Sequence, residues 1–361
     1  MLDLDLRGFG SSLEIESAVS RLAAMTRAGQ WIRGFGWDGG TEPHDVAFHH
    51  PVFLARRDGH AAWVNTAARA ELGLDGDRAV LSEATFDAVR RRLPARSTGE
   101  RVAAVGKRLA ELAAYEIDAV DDMVEAWAPE VYALLRDDGA LQASVGMWLP
   151  EDLPVADAEA IRRAFPEADP ELSVRGVKIF LDGTLEARTA ALSQPYADEP
   201  GTSGALRIDA NEIRDRVMRW AERGWPVALH AIGDRAVTLA LDALGSVRRP
   251  RAGSHRIEHA QVMRRLDLPR FAELGVIASV QPGHWRDDRL WLNARLGERP
   301  GVLIHPLASL ARSGATLLIG SDWPVSGWDP VAILQAASDP DRGEEAVRTA
   351  EARAWYTSGP R

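Results

Sequence analysis

The chain has no cysteine among its 361 residues. Disulfide staples, thiolate nucleophiles and cysteine-held zinc are therefore excluded. Any metal has to sit on imidazole, carboxylate or a modified amine. Lysine is almost absent too: of the 43 basic residues two are lysines, Lys107 and Lys178, and 41 are arginines. Where nearly every cation is a guanidinium, a retained amine marks a position at which arginine would not serve. No apolar run approaches the roughly 18 residues needed to span a bilayer. The N-terminal MLDLDLRGFG has neither the basic nor the apolar stretch of a signal peptide, so a cytoplasmic location is expected. Acidic residues outnumber basic ones, 53 to 43, for a formal net charge of −10. That balance opposes broad binding to nucleic acid or anionic membranes and leaves a small molecule as the expected partner. The oligomeric state stays open, a homo-oligomer included.

What is present is a long, core-rich chain with 46% hydrophobic residues. Its N-terminal part reads as a helix begun by Ser11 or Ser12 and two apolar segments, Trp31 to Trp37 and Val52 to Asn65. Helix follows over 84–114, broken near Pro94, and again over roughly 122–137. From there short apolar runs alternate with amphipathic stretches. The strand-like runs are Leu141–Leu149, Val177–Leu181, Val227–Ile232, Arg256–Ala260, Val276–Val280 and Thr316–Gly320, with a weaker one at Ile117–Val120. The helices between them include 211–223, 234–245, 265–274 and 306–313. Such alternation predicts parallel βαβ units. Seven in a row fit a (β/α)₈ barrel better than a Rossmann sheet, and no G-x-G-x-x-G follows any strand. The expected division is one barrel domain over 1–361, with 1–115 as an insertion with helices and 116–361 carrying strands 2–8.

Functional groups in such a barrel stand at the C-terminal ends of strands. GVKIFLDGT places Lys178 inside an apolar strand and Asp182 at its end. PVALHAIGD ends on His230, with Asp234 just beyond. HRIEHAQ brings His259, with His255 and Glu258 nearby, and TLLIGSDWP places Asp322 past its strand. Imidazole and carboxylate suit zinc and neighbouring divalent ions. An ammonium repels a cation, unless its amine reacts with CO₂ to give a carbamate. A buried structural ion pair at Lys178, and a helix N-cap at Asp322, are the competing roles.

VKIFLDGT, ALHAIGDRA, RIEHAQ and GSDWPV, in this order, resemble the amidohydrolase superfamily, and more narrowly its YtcJ-like branch, which includes N-substituted formamide deformylase. WIRGFGWD and PVFLARRDGHAAWVNTAA resemble that branch as well. The resemblance implies a carboxylated Lys178, metal ligands at His230 and His259, and Asp322 as both ligand and general base. It implies one or two divalent ions, zinc by preference. Metal-assisted hydrolysis of a C–N bond follows, with a metal-bound hydroxide as nucleophile and Asp322 returning the proton to the leaving nitrogen. Asp58, His60, Trp63 and His284 are the expected substrate contacts, with packing or loop bonding as the alternative for each.

The chain departs from the family in having no H-x-H pair, which ends the first barrel strand in that superfamily. Met1 stands where that motif would already have passed, and the flanking β-sandwich also has no counterpart. The expectation is thus an incomplete barrel lacking strand 1, with a weakened second metal position and impaired activity. The cluster His44, His49 and His50, in a polar loop before a β-type segment, is the alternative source of substitute ligands. A non-catalytic binding protein of the same fold and a related barrel phosphoesterase are the alternative functions.

Overall fold

The computed structural model describes residues 4–37, 42–47, 49–56, 61–74, 79–247 and 255–357. The chain divides into two compact units, Met1–Arg108 and Leu109–Arg361.

The first unit is built on a five-stranded sheet in sequence order: β1 (Leu4–Asp5), β2 (Ile32–Trp37), β3 (Val52–Arg56), β4 (Ala61–Val64) and β5 (Val80–Ser82). β1, β2 and β3 run parallel, and β3, β4 and β5 antiparallel. The apolar stretch Val52 to Asn65 is therefore two strands. Helix α1 (Ser12–Met25) starts at Ser11, whose hydroxyl and Glu14 form a reciprocal capping box. Its Ile15 and Val19 pack on Leu6, Ile32, Trp37, Val52, Leu54 and Trp63. Asn65 is buried with its polar atoms used: Oδ1 accepts from Val52 N and Ala68 N, both at 2.9 Å, and Nδ2 donates to Val46 O and His50 O. It caps α2 (Thr66–Leu72). The helical stretch expected over 84–114 is α3 (Glu83–Arg92) and α4 (Thr98–Ala113), parted around Pro94.

The second unit carries seven parallel strands: β6 (Ala119–Met123), β7 (Ser144–Pro150), β8 (Leu172–Phe180), β9 (Val227–Ala231), β10 (Arg256–His259), β12 (Ile277–Val280) and β14 (Thr316–Ile319). They lie side by side in sequence order, as repeated βα units require. Helices join them: α5 (Ala128–Asp137), α6 (Val155–Ala164), α7 (Ala210–Ala221), α8 (Asp234–Gly245), α9 (Leu268–Leu274), α10 (Pro282–Leu296) and α11 (Leu307–Arg312). A short antiparallel pair, β11 (Val262–Arg264) with β13 (Val302–Ile304), and the helices α12 (Pro330–Ala337) and α13 (Thr349–Thr357) complete it.

The sheet is strongly curled. Arg256 on β10 meets Asp121 on β6 at 2.7 Å, although the strands are four places apart. Flat strands at about 4.8 Å spacing would hold them roughly 19 Å apart. Curling turns one face inward as in a barrel wall, with β6 and β14 as the sheet's edges among the described residues. β9 is buried at every position, as expected of a strand covered on both faces.

Two boundaries differ most from expectation. The helix expected from 122 begins at Ala128, because residues 119–123 pair with β7 and Pro129 fits only a first helical turn. β8 begins at Leu172, five residues earlier than expected, since its pairing with β7 starts there and passes an irregularity.

Candidate metal centre

The β-strands deliver the chemically useful side chains to one end of the sheet. Lys178 sits near the end of β8, opposite Ala228 of β9. It is 6% exposed. Among the described residues no hydrogen bond or ion pair reaches its ammonium, and the ring of Phe180 lies 5.0 Å from Nζ. Burial lowers its pKa below the ordinary lysine range; Glu258 and Asp322 oppose the shift and Arg256 adds to it. Glu258 itself pairs with Arg256 at 2.6 Å. That guanidinium also holds Asp121 and lies 4.1 Å over the Trp148 ring.

The two strand-end histidines are held by opposite nitrogens. His230 on β9 has Nε2 at 3.1 Å from Gly183 O and 3.5 Å from Asp182 Oδ1. A proton on Nε2 donates to that carbonyl and leaves the lone pair on Nδ1. His259 on β10 donates from Nδ1 to Gln281 Oε1 at 2.8 Å, leaving the lone pair on Nε2. The two rings meet edge to face, 4.4 Å between centroids. Burial, with His230, Lys178 and His284 adding, holds His259 well below the usual histidine range. Its neutral form is the one that binds metal.

Asp322 follows β14 and takes a left-handed backbone, φ 53°; His259 does likewise at 78°. Neither is glycine, and such conformations concentrate where side chains must be aimed. The Asp322 side chain remains 38% exposed, and its Oδ2 lies 3.5 Å from His284 Nε2. Burial raises its pKa, opposed by His284 and Lys178. Donor atoms of His259, His284 and Asp322 all lie within 4.8 Å of one another.

A second layer fixes these groups. Asp182 is fully buried and accepts from Ala191 N and Gly233 N at 2.9 Å and from Ile232 N at 3.0 Å. Burial nevertheless pushes its carboxyl up to about 7. The bonds from Ile232 N and Gly233 N tie the end of β8 to the segment just after β9, next to His230, and the bond from Ala191 N holds the loop after β8. Asp234, opening α8, accepts from the amide and hydroxyl of Ser193. Glycine is required at 233, where a Cβ would stand 2.0 Å from Ala191 O. His255 is structural: its Nδ1 accepts from Val227 N, and burial lowers its pKa to about 4.

The expected substrate contacts part company. His284 stands beside Asp322. Trp63, 2% exposed, lies in the core of the first unit. Asp58 and His60 lie outside the described residues. In the first unit His44 pairs with Glu16 at 2.8 Å, and His50 Nδ1 lies 3.1 Å from Gln30 O. Gln261 closes the motif RIEHAQ, and Gln281 lies three residues before His284; the sequence pattern singles out neither.

A curled parallel sheet with imidazole, carboxylate and amine groups at the ends of its strands defines the class of metal-dependent hydrolase barrels. A solved structure of that description supports it: an uncharacterized metal-dependent hydrolase from Pyrococcus furiosus matches with a TM-score of 0.81 and 31% identity, over 98% of this chain and 77% of that one. The amidohydrolase family profile matches residues 2–360, and the chain belongs to that family, in its YtcJ-like branch. The putative amidohydrolase YtcJ of Bacillus subtilis (strain 168) is 34% identical over 202 residues, covering 53% of this chain and 38% of that protein. The N-substituted formamide deformylase of Arthrobacter pascens is 25% identical, covering 96% of this chain and 72% of its own length. Of a plant relative the chain spans 65%. No helix among the described residues is long and apolar enough to cross a membrane.

Proposed function

We propose that the chain is a hydrolase of a carbon–nitrogen bond in a small amide, formamide or carbamate. In this reading a divalent ion, zinc by preference, is held by Lys178, His230, His259 and Asp322. Lys178 carries the reading. A buried ammonium without a counter-ion costs several kcal/mol in desolvation (roughly, and less after relaxation). Burial favours its neutral amine, the form that attacks CO₂. The neutral amine's Nζ–C bond forms, one proton leaves that nitrogen, and an anionic carbamate replaces the amine. Two neutral imidazoles and two anionic oxygen donors then make a donor set suited to zinc. Similarity to a formamide deformylase supports the choice of bond.

The ion, when bound, supplies Lewis acidity toward a carbonyl and a water. The chain's own groups move the proton. Asp322, partly open to solvent, takes a proton from the attacking water at its carboxylate and returns it to the leaving nitrogen. Phe180 is 46% exposed beside Lys178 and His230 and offers an apolar wall to the substrate.

The test is hydrolysis by the zinc-loaded chain, in bicarbonate buffer, of a panel of formamides, amides, carbamates and phosphate esters. Turnover of the C–N substrates, lost in Asp322→Asn, is expected. Cleavage of phosphate esters alone, or full activity in Asp322→Asn, would overturn the proposal.

A further inference from the structure

We propose that His284 is itself a metal ligand, forming with His259 and Asp322 a face of two imidazoles and one carboxylate. The inference rests on the metal part of the proposed function and not on its substrate. Donors bound to one zinc at about 2.1 Å stand roughly 3.4 Å apart. His284 Nε2 and Asp322 Oδ2 already stand at 3.5 Å, and all three donors lie within 4.8 Å. The His259 and His284 rings are nearly parallel, 14° apart with centroids at 5.8 Å.

The supports behind the two rings match. His259 Nδ1 is held by the side chain of Gln281 at 2.8 Å, and His284 Nδ1 by that of Gln261 at 2.9 Å. Both glutamines are buried. Ligating imidazoles are oriented in this way, through the nitrogen remote from the ion. Gln261 presents its amide nitrogen to His284; ligation requires Oε1 there instead. That is a half-turn of the amide, and no other side-chain hydrogen bond of Gln261 opposes it among the described residues. The mounting is rigid: His284 lies in the first turn of α10, behind Pro282, and Gln261 is fixed at its carbonyl by His305 N. A face of two histidines and one carboxylate takes divalent first-row ions and leaves positions open for water or substrate.

The test uses the full chain, stripped with a chelator and titrated with Co²⁺ in bicarbonate buffer. Binding is read by calorimetry and visible absorption, with no turnover involved. His284→Gln is expected to weaken Co²⁺ binding by about 10²-fold or more and to alter the absorption. Gln261→Leu should weaken it by about 10- to 100-fold, the usual effect of removing an orienting partner. Wild-type affinity and absorption in His284→Gln would overturn the proposal, even if turnover collapsed, and would leave His284 as a partner of Asp322 alone. Should His284→Gln fail to fold, ¹⁵N-histidine spectra of the zinc-loaded wild-type chain decide. Zinc-shifted resonances from His230, His259 and His284 support the ligand role, and an unshifted His284 refutes it. A chain that binds Co²⁺ in this way and hydrolyses no amide would refute the proposed substrate and leave this site standing.

Discussion

Lys178→Met separates a metal-carrying lysine from a structural one, because the two roles predict opposite changes in stability. Methionine keeps an unbranched, flexible stem of similar length and removes the charge. The wild-type ammonium is 6% exposed, with no ion pair or hydrogen bond among the described residues and one ring contact at 5.0 Å. Relieving the desolvation of such a group is worth about 1–4 kcal/mol when an apolar side chain fills the space. The lost cation–π contact returns about 0.5–2 kcal/mol of that. The metal-free variant should therefore fall between about 1 kcal/mol below and about 3.5 kcal/mol above wild type in urea unfolding. The same variant should lose bicarbonate-dependent zinc binding, since no carbamate can form. Calorimetric titration with and without bicarbonate measures this. A variant that is several kcal/mol less stable, and that binds zinc as wild type does, would refute the reasoning and make Lys178 a structural cation.

Asp182 should make stability depend on pH. Its carboxyl rests at about 7 in the folded chain against an ordinary 3.8. Between these values the folded state keeps a proton that the unfolded state has released. The contribution is therefore full below about pH 4 and declines as pH rises toward 7. Asp182→Asn should flatten that decline in urea unfolding of the metal-free chain, and an unchanged slope would count against it. Gly233→Ala places a methyl 2.0 Å from Ala191 O, so backbone must move. A loss of about 1–3 kcal/mol or more is expected in the same assay, and a neutral result would show that the 191 segment yields freely.

Much of the fold is legible in the amino-acid sequence. The seven parallel strands follow from short apolar runs parted by amphipathic stretches, since a strand covered on both faces must be apolar throughout. β9 and α8 lie almost where periodicity places them, at Val227–Ala231 and Asp234–Gly245. The placing of Lys178, His230, His259 and Asp322 at or just past strand ends was legible because a parallel barrel sends every strand's C-terminal end the same way. The pairing of Val52 to Asn65 into β3 and β4 was not, because a continuous apolar run does not show where it folds back. Trp63 could be read as a pocket wall or as core, and burial among Leu6, Val19 and Leu54 assigns it to the core.

The sequence by itself determined the donor chemistry. With no cysteine, any ion must rest on histidine, carboxylate and altered lysine, and with two lysines in the chain one strand-end amine stands out. Which donors face one another was decided only by the tertiary structure. Arg256 and Asp121 are 135 residues apart and touch because the sheet curls. His284 lies 38 positions before Asp322, on the helix after a neighbouring strand, and reaches its carboxylate for the same reason. Strand spacing and curl set those distances, and a linear pattern of residue types carries neither.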